Sequence, residues 1–341
     1  MNSTHMAAVG LSFGIYALMA AAFFGWGQVA IRLMGLEKRK GFSACTTIWT
    51  VWAFVLLFFQ LIHFAAPLTA LIVIPVLVLG GALTLPKIVN NIRPCPDHLS
   101  RRRLVTFLGA IAVALAASGW IASRSMLPPV NYDTGLYHLN TMRWINTFPI
   151  VPGLGNLHGR LAYNQSFFTY AAALNFYPLF GHGRSVANSF LLLLTMATFI
   201  DILRPIFRRP SLLVKSDPFR YAAVLFAFPI CGYLAISSNG LSSPSPDLTS
   251  ALLQITMFVI LCQGVSGWQW GETDQHHRAI LGKHRLYMSH DSSFQFEGPF
   301  ECLVIETEYG ARVMPCRFKP TVSLLKNVIW AALSMVGDVQ I

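Results

Sequence analysis

The chain has 341 residues, 54% hydrophobic and 11% charged, with a formal net charge of +11. Soluble domains carry about 25% charged residues, so this composition excludes one large water-soluble core and predicts an all-α integral membrane protein. The basic excess does not read as a nucleic-acid surface, because it lies in short links between apolar runs and no basic–aromatic module accompanies it.

The first apolar run covers roughly 7–33 and leads to Lys38, Arg39 and Lys40. It lacks the short apolar region and small-residue cleavage site of a removed signal, so it is expected to stay as an anchor. Runs of roughly 43–64 and 68–85 follow, joined only by His63–Pro67 as a tight helical hairpin. A polar link with Lys87, Arg93 and Arg101–Arg103 precedes a fourth run at roughly 104–122. Basic links are held on the cytoplasmic side. The N-terminus, the 63–67 turn and a long loop over 123–184 are therefore expected on the non-cytoplasmic face.

Further runs at roughly 186–203, 221–236 and 248–262 bring the expected count to about seven transmembrane helices. The parity requires that 166–180, SFFTYAAALNFYPLF, does not cross; its length and its Pro178–Gly181 end predict a short interfacial or re-entrant helix. Residues 1–265 thus form a polytopic domain and 266–341 a small non-spanning tail. Of fourteen acids, six precede residue 268 and eight follow it. In the tail, alternating runs around Tyr309-Gly310 predict a β-hairpin, and 322–336 is apolar but short for a span. The change of composition leaves three readings of the tail: a cytoplasmic appendage, a truncated end or an altered reading frame. Cys45, Cys95, Cys231, Cys262, Cys302 and Cys316 form no CxxC or disulfide framework and are assigned to packing.

The polar density of 131–170 marks it as the functional segment. It holds Asp133, Tyr137, His138, Arg143, Trp144, His158 and Arg160 with three glycines. On this topology Asp133 and Asp247 are the acids outside. Each precedes a helix-like run, so each reads as an N-cap or as a functional carboxylate. If 134–147 is helical, Tyr137, Asn140 and Trp144 follow Asp133 at helical spacing, while His138 is turned away by about 140°. A carboxylate at the helix mouth suits a general base for an acceptor hydroxyl. Asp133 and His138 alone fall short of a metal ligand set; no metal ligand is assigned, and a divalent cation stays open. Arg143, His158 and Arg160 suit lipid-linked phosphate or ordinary lipid headgroups. Gly153, Gly155 and Gly159 would let backbone approach a ligand. Tyr137, Trp144, Tyr163 and Tyr170 suit sugar faces or a membrane-interface belt.

The segments YDTGLYHLNTMRWI and IVPGLGNLHGRLAYNQSFF, with SSPSPD before a later helix, resemble a group of bacterial polytopic membrane proteins. That group is similar to the GT-C glycosyltransferase superfamily. The resemblance covers roughly residues 1–265. It implies a GT-C-like protein of the bacterial inner membrane that transfers a sugar from a polyprenyl-phosphate-linked donor on the non-cytoplasmic face, in envelope polysaccharide or glycolipid synthesis. Asp133 matches the acidic position of such enzymes, and no other catalytic role is carried over from them. From their own chemistry and placement, Tyr137, His138, Arg143, Trp144, His158, Arg160 and Asp247 are the expected substrate contacts. Membrane lipids and the lipid-linked donor are the expected partners. Two departures stand out: about four spans precede the acidic motif, and the second acid of the usual pair is replaced, with Asn131 and Thr134 beside Asp133. Two alternatives remain, a transporter or flippase of lipid-linked or anionic solutes and a non-catalytic envelope-assembly partner. The near absence of charge within the spans counts against transport.

Overall fold

The computed structural model describes residues 3–35, 43–91, 101–162, 166–208, 218–237, 240–266, 304–305 and 312–313. Long helices occupy the expected apolar runs: α1 Ser3–Leu33, α2 Ala44–Ala65, α3 Ala70–Asn91 and α4 Arg101–Ser125. A π-helical turn, Thr134–His138, runs into α5 Leu139–Thr147, and two 3-10 turns follow at Leu154–Asn156 and Gly159–Ala162. After these come α6 Ser166–Ala173, α7 Gly183–Arg208, α8 Pro218–Ser237 and α9 Pro246–Ser266. Among the described residues four stretches are long and apolar enough to cross a membrane: His5–Leu33, Ala44–Ala65, Leu108–Ser125 and Gly183–Arg204. Ala70–Pro86, Tyr221–Leu234 and Pro246–Cys262 are shorter apolar helices. The architecture is that of a helical membrane protein.

Between lipid-solvated helices there is little hydrophobic drive, so close backbone packing carries the association. The contact of α1 with α3 shows how. A Cβ on Gly25 would stand 1.9 Å from the Gly80 carbonyl oxygen, and one on Gly80 would stand 2.6 Å from the Ala22 carbonyl oxygen. The close approach lets the Thr84 hydroxyl donate to Ala21 O at 2.7 Å and Trp26 Nε1 donate to Val76 O at 2.9 Å. Gly25→Ala should therefore destabilise the fold by about 1–3 kcal/mol through overpacking. Gly10→Ala, where a Cβ meets open space, should not destabilise it. Thermal unfolding in detergent compares the two; equal midpoints would show that the α1–α3 contact yields freely.

The connections that carry the site lie at one end of the bundle. Ile150 N donates to His63 O at 3.0 Å, Leu68 N to Ile145 O at 3.0 Å and Ala70 N to Tyr177 O at 2.9 Å. These bonds sew the α2–α3 turn to the segment between α4 and α7. His5 Nε2 lies 3.2 Å from Ser123 Oγ, so the start of α1 is at that end too. The buried Asn146 knots this layer. Its amide donates to Leu68 O at 2.6 Å and Ala172 O at 2.8 Å, and its oxygen accepts from Asn175 at 2.9 Å.

All eight residues of α6 are buried. A helix lying in a lipid interface keeps one face out of the protein. Against the rest of the protein α6 keeps no such free face: SFFTYAAA is buried on every side, and its Ser166 hydroxyl accepts from the Gln60 side chain at 2.8 Å.

In a separate compact unit, Val304–Ile305 pairs antiparallel with Arg312–Val313, Val304 opposite Val313. This is the ladder expected around Tyr309-Gly310. The remaining readings of the tail, including the 322–336 run, fall outside the described residues.

Candidate functional site

The site begins where the chain leaves α4 and starts a new helix at Asn131. The Asn131 side chain accepts from Asp133 N at 2.9 Å, and its carbonyl accepts from Thr134 N at 3.1 Å. Asp133 itself has helical backbone angles (φ −63°, ψ −22°) and caps nothing. The N-cap reading of Asp133 is therefore corrected: Asn131 takes that duty, and the carboxylate is free for another.

The next five residues form the π turn, in which Leu139 N–H bonds Thr134 O. A π turn inserts an extra residue and re-aims the side chains around it. It also departs from the regular helical phase on which the expected separation of His138 from Asp133 rested. His138 is 1% exposed, its ring 4.4 Å from Tyr137 and 5.2 Å from Phe168 of α6. Its Nδ1 has no hydrogen-bond partner.

Burial pushes the His138 imidazole down to about 4; Asp133 and then Asp247 act against that shift, and Arg160 adds to it. The ring is neutral at neutral pH. The unfolded chain takes up this proton near the ordinary histidine value of 6.5, whereas the folded protein resists until about 4. Stability is thus intact above 6.5 and lost as pH falls toward 4, by about 3 kcal/mol from this group. His138→Gln should flatten the acid limb of a stability–pH profile by about that amount. An unchanged limb would show that the ring is hydrated rather than buried.

Arg160, in the second 3-10 turn, pairs through Nη1 with Asp133 Oδ1, and its Cζ lies 5.4 Å from the Tyr137 ring centre. The two side chains are 42% and 36% exposed, so the pair faces an approachable surface. Arg160 N also donates to His158 Nδ1 at 3.3 Å, which gives His158 a part in shaping this turn.

The second wall is the loop before α9. Asp247 is exposed in the first turn of that helix, behind Pro246 at its first position. Ser245 caps the helix: its hydroxyl accepts from Asp247 N at 3.3 Å and donates to the Asp247 carboxylate at 2.7 Å. The N-cap reading of Asp247 is corrected in the same way, since the cap position falls two residues earlier. Asn188 of α7 holds the loop from beneath. Its amide donates to Gly240 O at 2.9 Å, Ser243 O at 2.9 Å and Ser245 O at 3.0 Å, while its oxygen accepts from the Thr249 hydroxyl at 2.6 Å. The Ser243 and Thr134 hydroxyls bond each other, joining this loop to the π turn.

Sequence reasoning missed Asn188. A lone Asn in an apolar helix is the usual mark of a hydrogen bond between membrane helices. Asn131, Thr134 and Ser243 were not singled out as contacts either.

Other expected contacts are placed elsewhere. Arg143 is exposed on α5 and pairs with no acid among the described residues, and Trp144 packs on Phe148 at 5.2 Å. Tyr170 is 1% exposed, edge-on to Trp52 at 5.8 Å, with its hydroxyl donating to Ala187 O at 3.4 Å. It is a core residue and offers no sugar platform, because the whole of α6 is enclosed. Tyr163 lies outside the described residues.

The glycine loop does not form an amide cradle. Gly153 needs its glycine, with φ +84°, but a Cβ on Gly159 would meet nothing within 4 Å. The amides of Asn156, Leu157, His158 and Leu161 bond carbonyls within the loop, so the 3-10 turns consume the donors that a phosphate would need. Among the described residues no three His, Cys, Asp or Glu side chains are grouped to hold a metal ion, and the Asp133–His138 pair gains no third ligand.

Comparison with known proteins gives a family described as a domain of unknown function (DUF8201), matched over residues 10–275. No curated protein and no solved structure matches the chain.

Proposed function

We propose that this chain, which belongs to the DUF8201 family, is a multi-pass membrane glycosyltransferase that takes a sugar from a polyprenyl-phosphate-linked donor. It crosses the bacterial inner membrane seven times in a GT-C-like arrangement, with the N-terminus and the 123–184 loop on the non-cytoplasmic side. Arg32 and Arg204, both exposed near the ends of α1 and α7 away from the site, fit that orientation.

The observation that carries the reading is the meeting of Asp133, His138 and Arg160 at a π turn, with Asp247 across the joined loop. In transfer, an acceptor hydroxyl attacks the anomeric carbon and Asp133 takes its proton. The bond from that carbon to the phosphate oxygen breaks, and the lipid phosphate leaves with the electron pair beside Arg160. His138, neutral and short of one partner, and Asp247 orient hydroxyl groups. Arg143 is left to bind headgroups at the rim.

A transport path would require polar groups open to a solute within the spans. Three hydroxyls of α7 do not serve such a path: those of Ser189, Thr195 and Thr198 bond their own helix and are at most 2% exposed. That favours the enzyme over a flippase.

The test is to reconstitute the protein in liposomes with a labelled polyprenyl-phosphate hexose and membrane-extracted acceptors. The expected result is transfer of label with release of free polyprenyl phosphate. A donor that binds but stays intact with every acceptor would reassign the chain to a non-catalytic role in envelope assembly.

A further inference from the structure

The resting site holds its two most useful charges against each other. Asp133 meets Arg160 through one carboxylate oxygen and one guanidinium nitrogen. The rest of the Arg160 fork makes no hydrogen bond among the described residues, and Asp133 has no other partner for its side chain there. Guanidinium presents five donors in a plane that fits two phosphate oxygens at once, so the pair as it stands leaves the better half of that capacity unused. The Tyr137 face holds the cation in place from below.

From this geometry we propose that Asp133 is a resting counter-ion of Arg160 that the incoming phosphodiester of the lipid-linked donor displaces. Binding of the donor and unmasking of the carboxylate are then one exchange. The inference rests on the lipid-phosphate reading above and adds a coupling to it. The phosphodiester of the donor matches the single charge of the carboxylate and offers two non-bridging oxygens to the fork, where Asp133 uses one oxygen. Once Arg160 has turned to it, the Asp133 carboxylate is released from its ion pair and left open to an acceptor hydroxyl. Asp247, the second acid near His138, stays bonded to Ser245 through the exchange and takes no part in it.

The arrangement predicts an effect opposite in sign to that of a direct ligand. Removing the Asp133 charge should improve phosphate binding, because the competitor is gone. Half-exposed ion pairs are weak, so the gain should be modest, about 1.5- to 5-fold.

The experiment titrates a farnesyl-phosphate-linked hexose, a phosphodiester like the donor, into the full chain in nanodiscs of neutral lipid without acceptor and reads affinity by calorimetry. Asp133→Asn should bind more tightly than the parent by that factor. Arg160→Ala should lose at least about tenfold, the value of one or two charge-assisted bonds. The double variant should match Arg160→Ala, and Arg160→Lys should retain weakened binding, which separates lost charge from lost fold. Unchanged or weaker binding by Asp133→Asn, with binding still lost in Arg160→Ala, would overturn the exchange and leave the phosphate site standing. No binding by the parent would overturn both. Inorganic phosphate that binds equally well would keep the exchange and overturn the lipid-linked substrate.

Discussion

Asp133→Asn is expected to lower sugar transfer by about 10²–10⁴-fold, the usual contribution of a positioned general base. The substitution keeps the shape of the side chain and removes only its capacity to take a proton. The fold should not suffer. Asp133 caps no helix, its backbone is held by Asn131, and its charge pair is partly exposed. Initial rates with labelled donor, compared with the unfolding midpoint of the same preparation, separate chemistry from folding. A variant that turns over at the parental rate would remove Asp133 from the reaction. A variant with a much lower midpoint would make the residue structural.

Asn188→Asp is expected to be the most damaging single-atom change in the chain. The native amide nitrogen meets three carbonyl oxygens, of Gly240, Ser243 and Ser245. An aspartate would set an anion against all three inside a buried helix contact. Each buried polar group left without its partner costs about 1–3 kcal/mol, so a loss of about 3 kcal/mol or more is expected. The damage should reach the site as well, because the 240–246 loop supports both Ser245, the cap before Asp247, and Ser243, the partner of Thr134. Thermal unfolding and limited proteolysis of that loop are the readouts. Thr249→Val, which removes only one bond to Asn188, should cost about 1 kcal/mol by the same scale. Equal behaviour of the two variants would show that the loop stands without Asn188.

How far the sequence discloses this molecule depends on the scale of the feature. Apolar runs set the long helices because lipid-facing segments must bury their backbone in internal hydrogen bonds, and that requirement leaves a clear compositional trace. The common end shared by the α2–α3 turn and the 131–182 segment follows from counting basic links. The caps were harder. Asn131 and Asp133 at one helix, and Ser245 and Asp247 at the other, are all capping residue types within two positions of each other. Backbone geometry alone decides among them. The neighbourhood of His138 was hidden for a related reason: the five-residue bond from Leu139 to Thr134 breaks the regular helical phase on which its expected position rested. Tyr170 was misread because an aromatic in a short segment looks alike at a rim and in a core. The glycine loop looked like a cradle until its amides were traced to their own carbonyls.

The central claim is that the Asp133–Arg160 site handles a lipid-linked phosphate. Native mass spectrometry of the protein, extracted gently from its host membrane, tests it most directly. The account predicts a retained polyprenyl phosphate that is lost in Arg160→Ala and kept in Arg143→Ala, since Arg160 joins the site and Arg143 pairs with no acid of it. Retention of bulk phospholipid alone, the same in both variants, would contradict it.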